Sequence, residues 1–412
     1  MKMSGIVLTA SVRQNLLSLQ STADLLSTTQ NRLATGNKVN SALDNPTNFF
    51  TAQGLNNRAS DINNLLDSIG NGVQVLQAAN TGITSLQKLV DTAKSIANQV
   101  LQAPTGYSSK ANVTTAAPTG AGALAVAGTA TDLTNAGTNS LQGQALAFKT
   151  STGTLSLTIS NVAGAGKVNS IDALNTALSA GGVGLTASFN AAGTVTFTST
   201  NDNAGQVITN TGSAPAAAGT VDISGGAAIT GLSVTAAVAD TASQAIRSSL
   251  VKQYNDIVTQ ISTTSQDASF NGINLLNGDN LKLTFNETGK STLNVQGVTF
   301  NAAGLGLAAL TAGTDFLDNA SANAALTKLS NASTTLRTEA SALGSNLSVV
   351  QIRQDFNKNL INVLQTGSSN LTLADTNEEA ANSQALSTRQ SIAVSALALA
   401  NQSQQSVLKL LQ

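Results

Sequence analysis

Few residues of this chain have the chemistry for catalysis. Its 412 residues include no Cys and no His, so no thiolate is available and the commonest general base and metal ligand is missing. Glu378 and Glu379 are adjacent carboxylates, but they point to different sides of a predicted helix, and its first turn favours acidic side chains through the helix dipole. We therefore predict that the protein is not an enzyme and has no catalytic, cofactor or metal site.

A glycine-rich string follows the last predicted strand. Residues 304–309 fit the pattern G-x-G-x-x-A, but a dinucleotide site needs a βαβ unit and an acidic residue about 20 positions further on. Asp318 comes too early and the preceding strands are predicted to be antiparallel, so we interpret the string as a loop. Asn112 and Asn286 begin glycosylation tripeptides, which arise by chance in a chain so rich in Asn, Ser and Thr.

Composition excludes several classes of partner. The net charge is −1, with 10% charged and 3% aromatic residues, so neither a basic patch nor an aromatic platform for nucleic acid is expected. The apolar runs are too short to cross a membrane, and residues 1–10 lack the features of a cleavable signal peptide. Low charge with many uncharged polar residues suits surfaces that pack against copies of the same chain, and it also fits an ordinary soluble domain.

One long predicted helix organises the rest of the chain. Between residues 54 and 101, apolar side chains recur at steps of three and four, which is typical of a heptad seam. Asp44 and Asn45 are the candidate caps of this helix, and Pro46 suits its first position. Internal glycines, among them Gly72 and Gly82, each cost about 1 kcal/mol relative to alanine, so the helix requires partner helices.

Matching seams lie at both ends of the chain, which are expected to pack together as one bundle. The predicted packing residues of the first and last helices, the inner core, are Val12, Leu16, Leu19, Leu26, Leu33, Ile392, Leu399, Val407, Leu410 and Leu411. Those of the long helix and of the helix before the last, the outer core, are Leu55, Ile62, Leu66, Ile69, Val73, Leu76, Leu336, Leu343, Leu347 and Val350.

The middle of the chain, residues 105–240, is nearly uncharged and rich in Gly, Thr, Ala and Ser. Alternating runs at 155–159, 185–189 and 195–198 predict strands, and residues 170–178 predict a short helix capped by Ser170 or Asp172. The three Phe residues of this block fall on core positions. We predict a small α+β or mostly β module, with a disordered segment as the alternative that the composition also allows.

Helical character returns near residue 241. The predicted buried face there is Ile246, Leu250, Tyr254, Ile257 and Ile261. Residues 281–285 and 292–300 then predict a hairpin. The predicted fold class is mainly α with a β-rich insert: a long antiparallel helical coiled-coil bundle formed by both chain ends, a β-hairpin in the core, and a small α+β or β outer domain.

Both ends of the chain resemble bacterial flagellin. The N-terminal resemblance lies in Arg32–Leu33, Gly36, Val39–Asn40–Ser41–Ala42, Asp44, Asn71–Gly72–Val73 and Gln77. Further along, the resemblance lies in Phe270–Asn271–Gly272, Leu275–Leu276, Leu397–Ala398–Leu399–Ala400–Asn401–Gln402, Gln405 and Val407–Leu408–Lys409–Leu410–Leu411. It covers everything outside residues 105–240.

The resemblance implies a structural subunit that self-assembles into the helical filament of the bacterial flagellum, for swimming. It implies export of the unfolded chain by the flagellar type III system, an extracellular location, and partners among the export chaperones, the filament cap and the hook-associated proteins. It implies an inner helical core of residues 1–45 and 370–412. An outer core of 46–104 and 241–369 would carry the hairpin 281–300, and residues 105–240 would be a variable, surface-exposed domain.

Some residues depart from the family pattern. Enteric flagellins have a run similar to Asp-Ala-Ala-Gly at the position where this chain has Asn45–Pro46–Thr47–Asn48. The variable block lies before residue 241, between two core helices, whereas in enteric flagellins it follows the hairpin. The details of outer-domain placement in the family therefore do not transfer.

Residues 86–97 align with the segment that the vertebrate Toll-like flagellin receptor reads in enteric flagellins. Leu86, Gln87, Lys88 and Asp91 are the candidate receptor-facing residues, but Val90 stands where the family has Arg. Loss of a guanidinium is not a conservative change at a recognition site. We therefore expect weak receptor binding.

Two other functions remain open at this level. A hook–filament junction protein would share the end helices but diverge at the extreme C-terminus, where this chain keeps the signature 397–411. A surface protein that binds glycans would show aromatic platforms in a cleft, and in the middle block the Phe residues are better explained as core.

Overall fold

The computed structural model describes residues 10–116, 133, 141–162, 164–189, 194–225 and 232–410. The helices in these ranges are α1 (Ala10–Thr35), α2 (Pro46–Gln102), α3 (Ile171–Ala180), α4 (Thr241–Asp267), α5 (Asn319–Thr372) and α6 (Thr376–Leu410). No helix within them combines the length and apolar character needed to cross a bilayer.

The strands belong to the middle block and to the hairpin region. They are β1 (Tyr107–Ser109), β2 (Asn112–Thr114), β3 (Ala145–Thr150), β4 (Gly153–Ile159), β5 (Lys167–Val168), β6 (Leu185–Phe189), β7 (Val195–Ser199), β8 (Val207–Thr209), β9 (Thr220–Ser224), β10 (Ser233–Thr235), β11 (Val238–Ala239), β12 (Leu281–Thr284) and β13 (Thr292–Val295). The chain is thus helical towards both ends and β-rich between α2 and α4.

The chain divides into two compact units. The first contains Met1–Val73, Lys282–Asn294 and Leu347–Gln412, and the second contains Gln74–Leu281 and Val295–Asn346. Each unit includes a part of α2 and a part of α5. The first unit holds α1, α6 and most of the hairpin, and the second holds the β-rich block and α4.

The start of α2 follows from its sequence. The Asn48 amide donates to Asn45 Oδ1 at 3.0 Å, so Asn45 is the cap, and Pro46 is the first helical residue as predicted. At 1.5 Å per residue, its 57 residues correspond to about 85 Å. Such a helix depends on packing along its length, because propensity alone does not stabilise it.

Two glycines of α2 allow close approach of a neighbouring side chain. In the first unit, a Cβ on Gly72 would collide with the end of the Leu283 side chain from β12. In the second unit, a Cβ on Gly82 would lie 2.6 Å from Leu276 Cδ1 and 2.7 Å from the Cβ of Ala268. The helix-propensity cost of these glycines is therefore offset by packing that a larger residue would prevent.

The buried face of α4 differs from the predicted one. Leu250, Tyr254 and Ile261 are buried, but Ile246 is 52% exposed and its neighbour Arg247 is fully buried. The prediction was wrong at Ile246 because an apolar pattern assigns charged side chains to the solvent. The guanidinium of Arg247 is buried because the surrounding backbone carbonyls satisfy it, as described below.

The β-rich block has its own core between two sheets. A four-stranded sheet has the order β10-β2-β7-β6, and a five-stranded sheet has the order β5-β4-β3-β9-β8. Phe148 of β3 and Phe197 of β7 are fully buried, with ring centroids 5.4 Å apart in an edge-to-face arrangement. Leu174 and Leu178 of α3 join the same core. The described part of the block is therefore folded, and its Phe residues serve packing.

The short elements of this block follow local rules. Ser170 caps α3 by accepting from the Ala173 amide at 3.2 Å, as predicted. Strands β3 and β9, which the sequence pattern did not identify, pair antiparallel with each other. Strands β12 and β13 form a separate two-stranded sheet, closed by the Phe285 amide donating to the Ser291 carbonyl at 2.8 Å.

Candidate assembly interface

The turn after α1 is joined through the backbone to the last residue of α5 and to the segment that leads into α6. The Lys38 amide donates to the Thr372 carbonyl at 2.7 Å, and the Ala374 amide donates to the Gly36 carbonyl at 2.9 Å. Gly36 has φ +70°, a conformation that favours glycine and ends α1 there. These contacts set α1 and α6 side by side, and the two helices pack on each other.

An ion pair fixes the same junction. Arg32 Nη1 lies 3.4 Å from Glu379 Oε1, and Glu379 is only 9% exposed. The helix-dipole interpretation of the two glutamates therefore misses the main partner of Glu379, which comes from α1. The cap of α6 is instead Asp375, whose Oδ1 accepts from the Asn377 amide at 2.9 Å.

The predicted inner-core residues are only partly covered. Val12 is 3% exposed, Leu19 and Leu26 are half-buried, and Leu16 and Leu33 are 37% and 39% exposed. On α6, Ile392 and Leu399 are 63% and 71% exposed. The side chains of Val407 and Leu410, and the whole of Leu411, lie outside the described residues. Apolar positions on both terminal helices are thus open to a further partner.

The predicted outer-core residues lie deeper. Ile62, Ile69, Leu76, Leu336, Leu343 and Val350 are buried, and Leu55, Leu66, Val73 and Leu347 are half-buried. In the first unit, Ala59 and Ile62 of α2 form one core with Ile361 and Leu364 of α5. These side chains therefore hold the helices of each unit together.

Side chains from the hairpin region orient α5 in the first unit. Asn357 Nδ2 donates to the Phe285 carbonyl at 3.0 Å, and the Arg353 guanidinium lies 5.9 Å from the centre of the Phe285 ring. Arg58 of α2 pairs with Glu287 at 2.7 Å. These contacts cover the face of α5 that carries Asn357, and the face next to it is exposed.

This exposed face of α5 carries an apolar stripe that the sequence analysis missed. The α5 stripe consists of Val349, Ile352, Phe356 and Val363, which are 44%, 65%, 55% and 66% exposed. Their steps of three, four and seven are heptad spacing, so a second search for a seam on this helix could have found them. The row is interrupted only at the heptad position of Asn359, and a monomer rarely exposes an apolar patch of this kind without using it.

The candidate receptor-facing segment lies in the second unit. Leu86 and Val90 are fully buried, Gln87 is half-buried, and Lys88 and Asp91 are exposed. Asp91 is paired with Lys94 at 3.9 Å. Position 90 therefore faces the core of the unit, where an Arg would have to be buried.

The described residues offer little for catalysis. No group of three His, Cys, Asp or Glu that could hold a metal ion occurs among them. The glycine-rich string begins in turns, with the Gly304 amide donating to Asn301 Oδ1 at 2.8 Å, in line with the loop interpretation. A cleft of about 490 Å³ in the second unit is lined mainly by amide and hydroxyl side chains, with no aromatic residue among its described lining residues.

Comparison with protein families identifies the two ends. The profile of the bacterial flagellin N-terminal helical region matches residues 7–119. The profile of the bacterial flagellin C-terminal helical region matches residues 326–411. These ranges contain α1 and α2 at one end, and most of α5 with α6 at the other.

Curated relatives give the same assignment. Flagellin FljM and Flagellin FljK of Caulobacter vibrioides are each 32% identical over 163 residues, which is 39% of this chain and 58% of each relative. Flagellin A of Rhizobium meliloti is 35% identical over 122 residues, 30% of this chain and 27% of that protein. The chain thus spans less than two thirds of the length of these relatives.

Proposed function

Since the chain belongs to the bacterial flagellins through its N- and C-terminal helical regions, we propose that it is a structural subunit that self-assembles into the helical flagellar filament for swimming. The observation that carries this proposal is the set of apolar rows left open on α1, α5 and α6. A second copy of the chain is the partner that fits them.

The α5 stripe supports self-association most directly. Burying one Val, Ile or Phe side chain contributes about 1.5–3 kcal/mol, so four half-exposed side chains could supply a substantial part of a subunit contact. Exposed Leu16, Ile392 and Leu399 extend the apolar surface to the terminal helices. Few charges oppose such a contact, because only 10% of the residues are charged.

The assignment of residue ranges to the inner core, the outer core and the surface of the filament is also a proposal. Residues 1–45 and 370–412 would form the inner core of the filament, with the exposed side chains of α1 and α6 covered by neighbouring subunits. Residues 46–104 and 241–369 would form the outer core with the hairpin 281–300. Residues 105–240 would be exposed on the filament surface. The partial exposure of the inner-core side chains supports this assignment.

Export and assembly partners follow from the family. The chain would leave the cell unfolded through the flagellar type III system, with an export chaperone, and would meet the hook-associated proteins and the filament cap at the growing end. Its location would be the extracellular flagellum. It would act without catalysis, cofactor, nucleic acid or membrane insertion.

Binding to the host Toll-like receptor would be weak. In this chain, Val90 is buried and the exposed groups nearby are Lys88 and the paired Asp91. The receptor would therefore meet no guanidinium at position 90. A reporter assay with purified monomer measures this directly, and a potent response would contradict it.

The test of the assembly proposal is polymerisation of variants of the α5 stripe, measured by electron microscopy and sedimentation. We expect the double variant Ile352→Ser/Val363→Ser to raise the critical concentration by more than about tenfold, the change that a loss of about 1.4 kcal/mol produces. The matched control is Val162→Ser in the β-rich block, since Val162 is 60% exposed and Val363 is 66% exposed.

Two results would contradict the proposal. If the wild-type protein forms no filaments under any seeded condition, the chain is not a filament subunit. If the double variant polymerises as readily as the control while filaments form normally, the α5 stripe is not a subunit contact.

A further inference from the structure

The segment just before α5 is held by the helical part of the second unit. The buried Arg247 guanidinium donates to the Phe316 carbonyl at 2.5 Å and to the Asp318 carbonyl at 3.3 Å. The side chain of Phe316 is fully buried and packs edge-to-face against Tyr254, with ring centroids 5.9 Å apart. The position at which α5 begins is therefore fixed from the side of α4.

The β-rich block contacts the same segment from another direction. The Asn319 amide donates to the Asn201 carbonyl at 3.2 Å, and the Ala320 amide donates to the Asp202 carbonyl at 3.1 Å. The first four amides of an α-helix have no partner within the helix and need one elsewhere. Two of those amides of α5 are thus satisfied by the loop between β7 and β8, residues 200–206, which we call the clasp loop.

The clasp loop is itself well ordered. The Thr200 amide donates to the Gly184 carbonyl at 2.9 Å, and the Gln206 amide donates to the Asn203 carbonyl at 2.8 Å. Tyr107 packs directly over Gly205, where a Cβ would collide with the Tyr107 ring and hydroxyl. The loop is therefore held by the β-rich block on one side and by Tyr107 on the other.

Tyr107 belongs to the two-stranded stalk through which the β-rich block enters and leaves the helical part. Strand β1 pairs with β11, and the Asp240 amide donates to the Gly106 carbonyl at 3.0 Å. The Gly106 amide donates to the Leu317 carbonyl at 2.9 Å. The stalk therefore contacts Leu317 and the clasp loop contacts Asn319 and Ala320, which are neighbouring positions at the start of α5.

We propose that the clasp loop caps the first turn of α5 together with the Asp318 side chain, whose Oδ1 accepts from the Ser321 amide at 3.4 Å. The loop would thereby couple the folding of the β-rich block to that of the helix, so that the block is held in one orientation on the helices of the second unit. A block attached by the stalk alone could rotate about it. Rotation of a block that also supplies carbonyl partners to the first turn of α5 would break both of these hydrogen bonds, one of them at the half-buried Asn319, and the amides would need other partners.

The test is amide hydrogen exchange on the full-length monomer, resolved at individual residues. In the wild type we expect the amides of Asn319 and Ala320 to be protected together with those of β6 and β7. In Gly205→Ala, displacement of Tyr107 should open the clasp loop, so these two amides should exchange at least about tenfold faster while β6 and β7 keep their protection. The matched control is Gly153→Ala, where a Cβ meets nothing within 4 Å.

Each outcome decides the proposal. It is overturned if Asn319 and Ala320 exchange at unprotected rates in the wild type while β6 and β7 are protected, or if Gly205→Ala leaves them as slow as the control does. If Gly205→Ala also unfolds β6 and β7, Tyr107→Ala replaces it, because that variant removes the ring without adding a clash. Faster exchange confined to the start of α5 in Tyr107→Ala supports the proposal, and unchanged exchange there overturns it.

Discussion

At the residue scale, Arg247 shows how a charge is accommodated in the interior. Its side chain donates to five backbone carbonyls and to Asn319 Oδ1. Three of those carbonyls, from Val100, Ala103 and Pro104, lie at or just beyond the end of α2, where the helix dipole favours a cation. Burial lowers the pKa of Arg247 from its ordinary value, and the Asp318 carboxylate opposes that shift. The guanidinium stays charged, as arginine does in proteins.

Replacing Arg247 should destabilise the second unit. Arg247→Met leaves the carbonyls without donors, and breaking a buried charged network costs about 3–5 kcal/mol. Both tyrosines, Tyr107 and Tyr254, lie in that unit and the chain has no Trp, so tyrosine fluorescence in a urea titration follows its unfolding. Arg337→Met, on an exposed position of α5, should stay within about 0.5 kcal/mol of wild type. Equal effects of the two variants would contradict this account.

The turn between α1 and α2 should lose stability at acidic pH, when the Asp44 carboxyl is protonated. Hydrogen bonds from the backbone amides of Ser41 and Asn40 hold the pKa of the Asp44 carboxyl below its ordinary value of 3.8. The folded turn favours the charged form, so its stabilisation is complete above 3.8 and is lost as the pH falls through the lower, folded-state pKa. We expect the NMR signals of the Ser41 and Asn40 amides to titrate with a midpoint below 3.8. If these two amide signals titrate with the same midpoint in Asp44→Asn, the Asp44 carboxyl is not the group that titrates.

At the element scale, α2 and α5 pack against each other, and α5 also has an apolar face that is exposed to solvent. One side of α5 packs on α2 through Ile361 and Leu364 in the first unit, and the other side exposes the α5 stripe. Helix stability in proteins comes mainly from tertiary packing rather than propensity. The glycines of α2 illustrate the same principle, because a residue of poor propensity is retained where a neighbour approaches closely.

Gly82→Ala should therefore destabilise the monomer although alanine is the better helix former. The gain of about 1 kcal/mol in propensity is outweighed by overpacking against Leu276 and Ala268, which typically costs about 1–3 kcal/mol. The control is Gly344→Ala on α5 in the same unit, where a Cβ meets nothing within 4 Å, and it should be stabilising. Urea denaturation followed by circular dichroism measures both. A stabilised Gly82→Ala would show that the close approach is unimportant.

At the scale of the whole molecule, the β-rich block should be dispensable for polymerisation. The open apolar rows lie on α1, α6 and the last part of α5, all in the first unit. The Gly106 carbonyl and the Asp240 amide are 3.0 Å apart, so a short linker can replace residues 106–239. We expect thinner filaments with unchanged subunit rise and twist in cryo-electron microscopy.

The same deletion should weaken the monomer, because the start of α5 loses the carbonyls of Asn201 and Asp202. A lower melting temperature with an intact lattice is therefore the expected combination. If only monomers form, or if the rise and twist change, the block contributes lattice contacts and the proposed division of labour is wrong.

The sequence by itself determined the features that depend on local chemistry and periodicity. Pro46 and its candidate caps Asp44 and Asn45 indicated the start of α2, and the candidate caps Ser170 and Asp172 indicated the start of α3, because helix caps act through groups only a few residues apart. The motifs at both ends carried the resemblance to bacterial flagellin, and the flagellin profiles match the same two ends. The absence of Cys and His from the sequence excluded whole classes of chemistry.

Only the tertiary structure decided which face of each helix is covered and by what. The pattern placed Ile246 inside and Arg247 outside, and the structure reverses them because five carbonyls distant in sequence converge on the guanidinium. It pairs Glu379 with Arg32, and it leaves the α5 stripe open because the hairpin region orients the other side of that helix. Two amides of the first turn of α5 donate to the carbonyls of Asn201 and Asp202, more than a hundred residues away. No local pattern records such partners, since they meet only when the chain has folded.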